Sequence, residues 1–395
     1  MYLIHASILP ALAFGMFYTD IAYFLTAVQG LSDVFMGTVY AVMGISTVVF
    51  SIPLGIAADR YGRRKVLIIG NVVASAMIAI FALTADPAVL MLGAVLEGLS
   101  EAAYSAASSA IMAEKAGDER RTAVFSLSGF VGGIAFGVGS FAIPLVVVFE
   151  TFGFGNKESH VMLYLIFAAL SLASTLLMLK VSESKILRKE RGMKNLLPRK
   201  SANFLIKYMI AGAIVAFGAG MFVPLMTRWL YLAYGVSDAI SGPILGISSV
   251  LIGVATLAAP PLARRLGIVK SIVITQAVST VFMFTTPLSP EYLTASTVYT
   301  IRSFLMNMAG PLQSSMLMGT VAADERGAAG GISAALWRLP NSLSSVIGAW
   351  LMGIGLLAAP FYLATLLYII SITIFWLFFH KVRMPEEKNA QKSGH

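Results

Sequence analysis

No cysteine occurs in the 395 residues, which excludes disulfides and thiolate chemistry. Charge is scarce as well: 12% of residues are Asp, Glu, Lys or Arg, against about a quarter in soluble domains. The four histidines, His5, His160, His380 and His395, are scattered towards helix ends and the tail. They form no metal-ligand, acyltransferase or nucleotide-loop pattern, so a polytopic membrane enzyme is disfavoured, and neither a metal centre nor an organic cofactor is expected. A channel is disfavoured too, because no re-entrant, filter-like segment stands out. The start shows no basic leader region or small-residue cleavage pattern, so the first apolar run is counted as a span.

What the chain has in abundance is apolar length. Hydrophobic residues make up 58% and the mean hydropathy is +0.83, the composition of a chain whose solvent is lipid. A span needs roughly 20 apolar residues to cross about 30 Å of hydrocarbon at 1.5 Å per residue. Twelve such runs are found, at about 3–29, 33–58, 66–84, 87–113, 122–149, 159–181, 202–234, 237–262, 269–288, 290–322, 328–357 and 359–381. The fold class is therefore all-α: a polytopic membrane protein of twelve transmembrane helices in two pseudo-symmetric six-helix bundles.

The formal charge of +9 has a topological origin. Of the 28 Lys and Arg, the outer connections hold one, Lys157, and four lie within spans: Lys207, Arg228, Arg302 and Arg338. The rest fall on one side, which places both termini in the cytoplasm and makes a nucleic-acid partner unnecessary. One long polar stretch, residues 182–201, divides an N-terminal bundle (1–181) from a C-terminal bundle with a short cytoplasmic tail (202–395). It is expected to lie as a cytoplasmic linker against anionic headgroups, or to act as an orientation signal alone. The halves echo each other. IAADRYGRRK (56–65) aligns with PLARRLGIVK (261–270) at an offset of 205, and AGDER (116–120) with AADER (322–326) at 206.

The stretch from Gly55 through Asp59, Arg60, Gly62, Arg63, Arg64 and Lys65 reads G-x-x-x-D-R-x-G-R-R-K. It resembles the loop between spans 2 and 3 of the major facilitator superfamily, with a degenerate copy after span 8, and the resemblance covers essentially the whole chain. Gly55 is expected to let two helices approach closely and Gly62 to permit a tight turn. Arg60, Arg63, Arg64 and Lys65 are expected to cluster at the anionic inner leaflet. The resemblance implies that Asp59 locks an inner gate against the start of span 11, with Arg120 or Arg121 as its ionic partner. The drug-antiporter branch carries a Gly-Pro pair in its fifth span. Here Val138 stands where that proline falls, among Gly129, Gly132, Gly133, Gly137 and Gly139, and these glycines are expected to serve close packing. Ala94 stands where many antiporters carry an arginine. Both departures weaken an export reading.

Ionisable groups inside hydrocarbon are costly, by about 2.5–3.5 kcal/mol each on the insertion scale, so each one is a candidate for function. Asp20 lies on span 1, Glu97 and Glu101 on span 4, Arg228 on span 7, Arg302 on span 10 and Arg338 on span 11. The resemblance implies that spans 1, 4, 7 and 10 line the central cavity. Asp20, Glu97, Glu101 and Arg302 fall roughly 13–21 Å from the outer ends, whereas Arg228 is shallower, placed to snorkel or to serve an outer gate. Glu97 and Glu101 share a helix face with Tyr104. Two carboxylates in a poorly solvated cavity cannot both ionise cheaply, so Glu97, Glu101 and Asp20 are the candidate proton-coupling residues. The alternative is a permanent pair between a glutamate and Arg302 or another cavity arginine.

Arginine forks match the oxygens of an anion. Arg302, Arg338 and Arg228, with Asn307, Gln313, Trp337, Asn341 and Tyr104, are therefore the candidate substrate contacts. If acids and arginines neutralise each other, a substrate of either sign is left open. The expected function is a proton-coupled secondary carrier of a small organic solute, with an anionic group suggested by the arginines. It would act as a monomer in the inner membrane by rocker-switch alternating access. Multidrug or amphiphile (lysolipid) efflux is the alternative.

Overall fold

The computed structural model describes residues 2–181, 199–322 and 325–381, and among these there are helices and connections but no strand. In chain order the helices are α1 (Tyr2–Tyr23), α2 (Asp33–Tyr61), α3 (Arg63–Leu83), α4 (Pro87–Ser140), α5 (Leu145–Thr151), α6 (Asn156–Met178) and α7 (Ala202–Gly220). They continue with α8 (Met226–Tyr234), α9 (Asp238–Leu266), α10 (Ile268–Thr285), α11 (Tyr292–Thr320), α12 (Arg326–Gly353) and α13 (Ala359–Phe379).

Helical backbone is continuous through α4, where the sequence predicts two spans. Glu97 is nevertheless bonded to Tyr18, and a Cβ on Gly15, one turn away on α1, would strike the Phe136 carbonyl. On a straight helix residues 97 and 136 would stand about 58 Å apart. The chain therefore reverses within α4 and supplies two passes, the second completed by α5. A 3-10 turn at Val223–Leu225 splits one pass into α7 and α8, because Pro224 lacks an N–H. The Pro224 carbonyl is satisfied instead by the Tyr40 hydroxyl, 3.0 Å away. With these adjustments the helices make the twelve predicted passes.

Ten described segments are long and apolar enough to cross a membrane. α11 and α12 fall outside that set because they carry Arg302, Asn307, Gln313, Arg338 and Asn341. Large side chains such as Leu83 (68% exposed) and Leu176 (67%) cover the outside, as a lipid-facing surface requires.

Packing groups the chain into two compact units. One comprises Met1–Arg188, Phe222–Val250 and Ser345–Leu357; the other comprises Lys189–Met221, Leu251–Ser344 and Ala358–His395. This grouping cuts across the sequence division at 182–201. The internal repeat is carried into both cores. Ala6 and Ala211, Leu67 and Ile272, and Ala103 and Ala309 stand 205 or 206 residues apart, one of each pair buried in each unit's apolar cluster.

Backbone geometry repeats too. Gly62 (φ 106°) ends α2 and opens α3, and Gly267 (φ 83°) does the same between α9 and α10. A side chain is strained at either position, which explains why the signature loop and its copy both keep glycine there. Close helix approach is confined to part of the glycine set. Gly137 lies against the Gly246 carbonyl and Gly139 against that of Leu12. Gly129, Gly132 and Gly133 face open space, contrary to the packing role expected for them. A Cβ on Gly55 would also meet nothing within 4 Å, so the close approach expected there is absent.

Candidate functional site

In the first unit the acids separate. Glu97 is fully buried and accepts a hydrogen bond from the Tyr18 hydroxyl of α1. Glu101, one turn on, is half-buried, and its Oε2 lies 3.5 Å from the Thr47 hydroxyl of α2, which donates to the Met43 carbonyl at 2.9 Å. Tyr104 packs against the apolar cluster of Leu67, Ala103 and Ala107. Asp20 gathers with two residues that sequence reasoning did not select. His160, the fifth residue of α6, and Asp238, the first residue of α9, offer ligand atoms that lie with an Asp20 oxygen within 4.8 Å of one another. The histidine set aside as scattered is thus at the centre of a buried cluster, because the fold joins residues 20, 160 and 238.

Arg228 does not snorkel. Its Nε donates to Asp33 Oδ1 at 2.6 Å and its Nη2 to Oδ2 at 3.0 Å, a bidentate pair with both side chains 12% exposed. Asp33 is not among the residues that the sequence singles out, since it lies at the start of an apolar run and not inside it. A signal was nevertheless available: Gly30-Leu31-Ser32-Asp33 recurs as Gly235-Val236-Ser237-Asp238 at the same offset of 205. Both glycines have positive φ, 75° and 68°, and both aspartates open a helix and bind a basic side chain. A carboxylate suits that position because the helix N-terminus carries partial positive charge.

In the second unit Arg302 is buried on α11. Its Nη2 donates to the Tyr368 hydroxyl at 2.5 Å and its guanidinium lies 5.4 Å from that ring's centre. A cavity in this unit is lined by Tyr208, Gln276, Gln313, Ser333, Trp337 and Ser371, among others. Of the predicted substrate contacts, Gln313 and Trp337 reach it. Asn307 bonds the Ser303 carbonyl of its own helix (2.8 Å), and Asn341 bonds the Ala216 carbonyl on α7 (3.1 Å). Arg338 is half-buried beside Trp337 on α12. Gln276 was not predicted, since it sits inside an apolar run. Its amide nitrogen is buried without a hydrogen-bond partner.

The signature loop is partly described. Arg63 does not reach the leaflet surface: it is buried and donates to the Ala110 carbonyl on α4 at 3.2 Å. Arg64 donates to the Leu179 carbonyl at the end of α6, where a cation complements the helix dipole. Arg60 is exposed, 5.6 Å from the Tyr61 ring centre. The side chains of Asp59, Arg120 and Arg121, and linker residues 182–198, lie outside the described residues.

A family model described as Major Facilitator Superfamily matches residues 3–344 and 208–395. The chain belongs to the major facilitator superfamily. Its members are transporters rather than enzymes, and this chain has the helices of a multi-pass membrane protein. It is 28% identical over 169 residues to the Inner membrane transport protein YajR of Escherichia coli K12, covering 42% of this chain and 35% of that protein. It is 25% identical over 195 residues to an uncharacterized transporter of Buchnera aphidicola, covering 49% and 46%. These matches thus span less than half the length of either relative.

Superfamily structures superpose over nearly the whole chain. A variant of the nucleoside transporter NupG gives a TM-score of 0.79 at 16% identity, covering 96% of this chain and 99% of that one. A bacterial homolog of the human lysosomal transporter Spinster gives 0.77 at 15%, covering 95% of each. A D-xylose–proton symporter gives 0.74 at 18%, covering 95% and 97%. At these identities the likeness establishes the fold alone.

Proposed function

We propose that this transporter is a proton-coupled carrier of a small, polar organic solute, working by alternating access in the inner membrane. The observation that carries the reading is the buried carboxyl of Glu97, held by the Tyr18 hydroxyl inside a membrane-spanning bundle. A carboxyl so placed is costly unless it does something, and exchange of a proton is the chemistry open to it. Glu101, with Thr47 at hand, is the second proton acceptor on the same helix.

The solute is assigned from the cavity around Gln276, Gln313 and Trp337. Its polar groups are amides, hydroxyls and an indole, which recognise a neutral hydrogen-bonding molecule with a flat apolar face. An unpartnered buried Gln276 amide favours a ligand that supplies an acceptor. Arg302, on which the anion reading leaned, is engaged by Tyr368 and is not among the cavity's lining residues. Neutral polar solutes therefore come ahead of anions.

The test is reconstitution in liposomes with an imposed pH gradient, screening neutral polar solutes, organic anions and lipophilic cations. A neutral polar solute should move protons in the wild type. Glu97→Gln should abolish proton movement while solute exchange across the membrane survives. Proton movement unchanged in Glu97→Gln and Glu101→Gln would sink the coupling assignment. Uptake of anions alone would sink the solute assignment.

A further inference from the structure

We propose that Asp20, His160 and Asp238 form a binding site for one divalent transition-metal cation. The three residues come from α1, α6 and α9, all are buried, and their ligand atoms lie within 4.8 Å of one another. The His160 tautomer points the same way. Nδ1 stands 2.8 Å from the Asn156 carbonyl, which can only accept, so Nδ1 carries the hydrogen. Nε2 then faces the carboxylates: a hydrogen on it donates to Asp238, and loss of that hydrogen leaves a lone pair for a metal. A second ring nitrogen anchored on a backbone carbonyl is the usual outer-shell arrangement of a metal-bound histidine.

Nε2 lies 3.0 Å from Asp238 Oδ2. That is a hydrogen-bond length, and it is also about the separation of two ligands at right angles, each about 2.1 Å from a metal. The ring is held in place by Phe24, stacked at 5.5 Å and 22°, and by Tyr23 at 6.3 Å and 26°.

Independent of the histidine, both Asp20 carboxyl oxygens are fully buried and no hydrogen bond of ordinary length reaches them, with the Tyr164 hydroxyl and Asp238 as polar neighbours. Buried carboxylates without partners are rare because desolvation is not compensated. A proton between Nε2 and Asp238 satisfies that pair and leaves Asp20 only longer contacts to Asp238 and Tyr164. A divalent cation engages all three residues and cancels both carboxylate charges. The hydroxyl of Tyr164, one turn on from His160 and a polar neighbour of Asp20, also makes no hydrogen bond of ordinary length, which suits a water completing the coordination. One imidazole and two carboxylates, with no thiolate, match Mn2+, Fe2+, Co2+ or Zn2+.

The test uses tag-free, full-length protein in nanodiscs titrated with Co2+, followed by calorimetry and visible absorption. The wild type should take up about one Co2+ per chain, and its Tm should rise as binding to the folded state requires. Asp20→Asn, His160→Gln and Asp238→Asn should each weaken binding by about tenfold or more. His380→Gln, at the far end of α13, should not. Folded wild type that binds no Co2+, or binding lost in His380→Gln and kept in His160→Gln, would overturn the site. If His160→Gln fails to fold, the isosteric Asp20→Asn decides alone: unchanged affinity and an unchanged Tm rise count against the proposal. None of these readouts depends on transport.

Discussion

At the scale of single residues, the Asp33–Arg228 pair is the clearest energetic statement in the molecule. Two charge-assisted bonds at 2.6 and 3.0 Å, with both partners 12% exposed, exceed what a solvated surface pair contributes. Arg228→Ala should destabilise the protein by about 2 kcal/mol, the usual value for hydrogen bonds to charged groups. Arg228→Lys should recover less than half of that, because an ammonium cannot span both oxygens. A double-mutant cycle with Asp33→Asn, read by thermal unfolding, checks it. Coupling below about 0.5 kcal/mol would reduce the pair to an ordinary surface contact. Legibility was uneven at this scale. Arg228 announces itself as a charge inside an apolar run, whereas Asp33 and Asp238 look like ordinary first-turn acids until their matching Gly-x-Ser-Asp context is noticed.

At the scale of elements, two glycines of one loop should respond in opposite ways to the same change. Gly62→Ala forces a side chain into φ 106° and should cost about 1–2 kcal/mol, as should Gly267→Ala at φ 83°. Gly55→Ala meets open space inside a helix and should be neutral or stabilising by up to about 1 kcal/mol. Thermal unfolding of the three variants in one detergent decides the matter; a loss at Gly55 equal to that at Gly62 would contradict this assignment. The contrast explains what a sequence can say. A turn's backbone requirement is local and legible at Gly62. Close approach depends on which helix arrives opposite, so it holds at Gly137 and Gly139 and fails at Gly55 and Gly129. The reversal inside α4 is likewise set by the packing of Gly15 against Phe136 and of Tyr18 against Glu97.

At the scale of the whole molecule, the helical passes, the internal repeat and the family were readable from apolar runs, matching segments about 205 residues apart and the loop at Asp59. The gathering of Asp20, His160 and Asp238 was not, because helical spacing says nothing about which passes meet. The placement of the basic residues makes one global prediction: a fluorescent protein joined after His395 should fluoresce, and alkaline phosphatase joined there should be silent. The opposite pair of results would invert the assigned orientation. The Asp33–Arg228 pair also carries a consequence for biosynthesis. Ribosomes add about 5–20 residues per second, so the 195 residues from Asp33 to Arg228 take about 10–40 s to appear. Throughout that interval the carboxylate of α2 is in the nascent chain without its guanidinium. Its position as the first residue of a helix, just after the Ser32 cap, keeps it at the aqueous boundary while it waits. An aspartate one or two turns deeper would have to cross into lipid unpaired, so the pair is placed where the order of synthesis permits it to form.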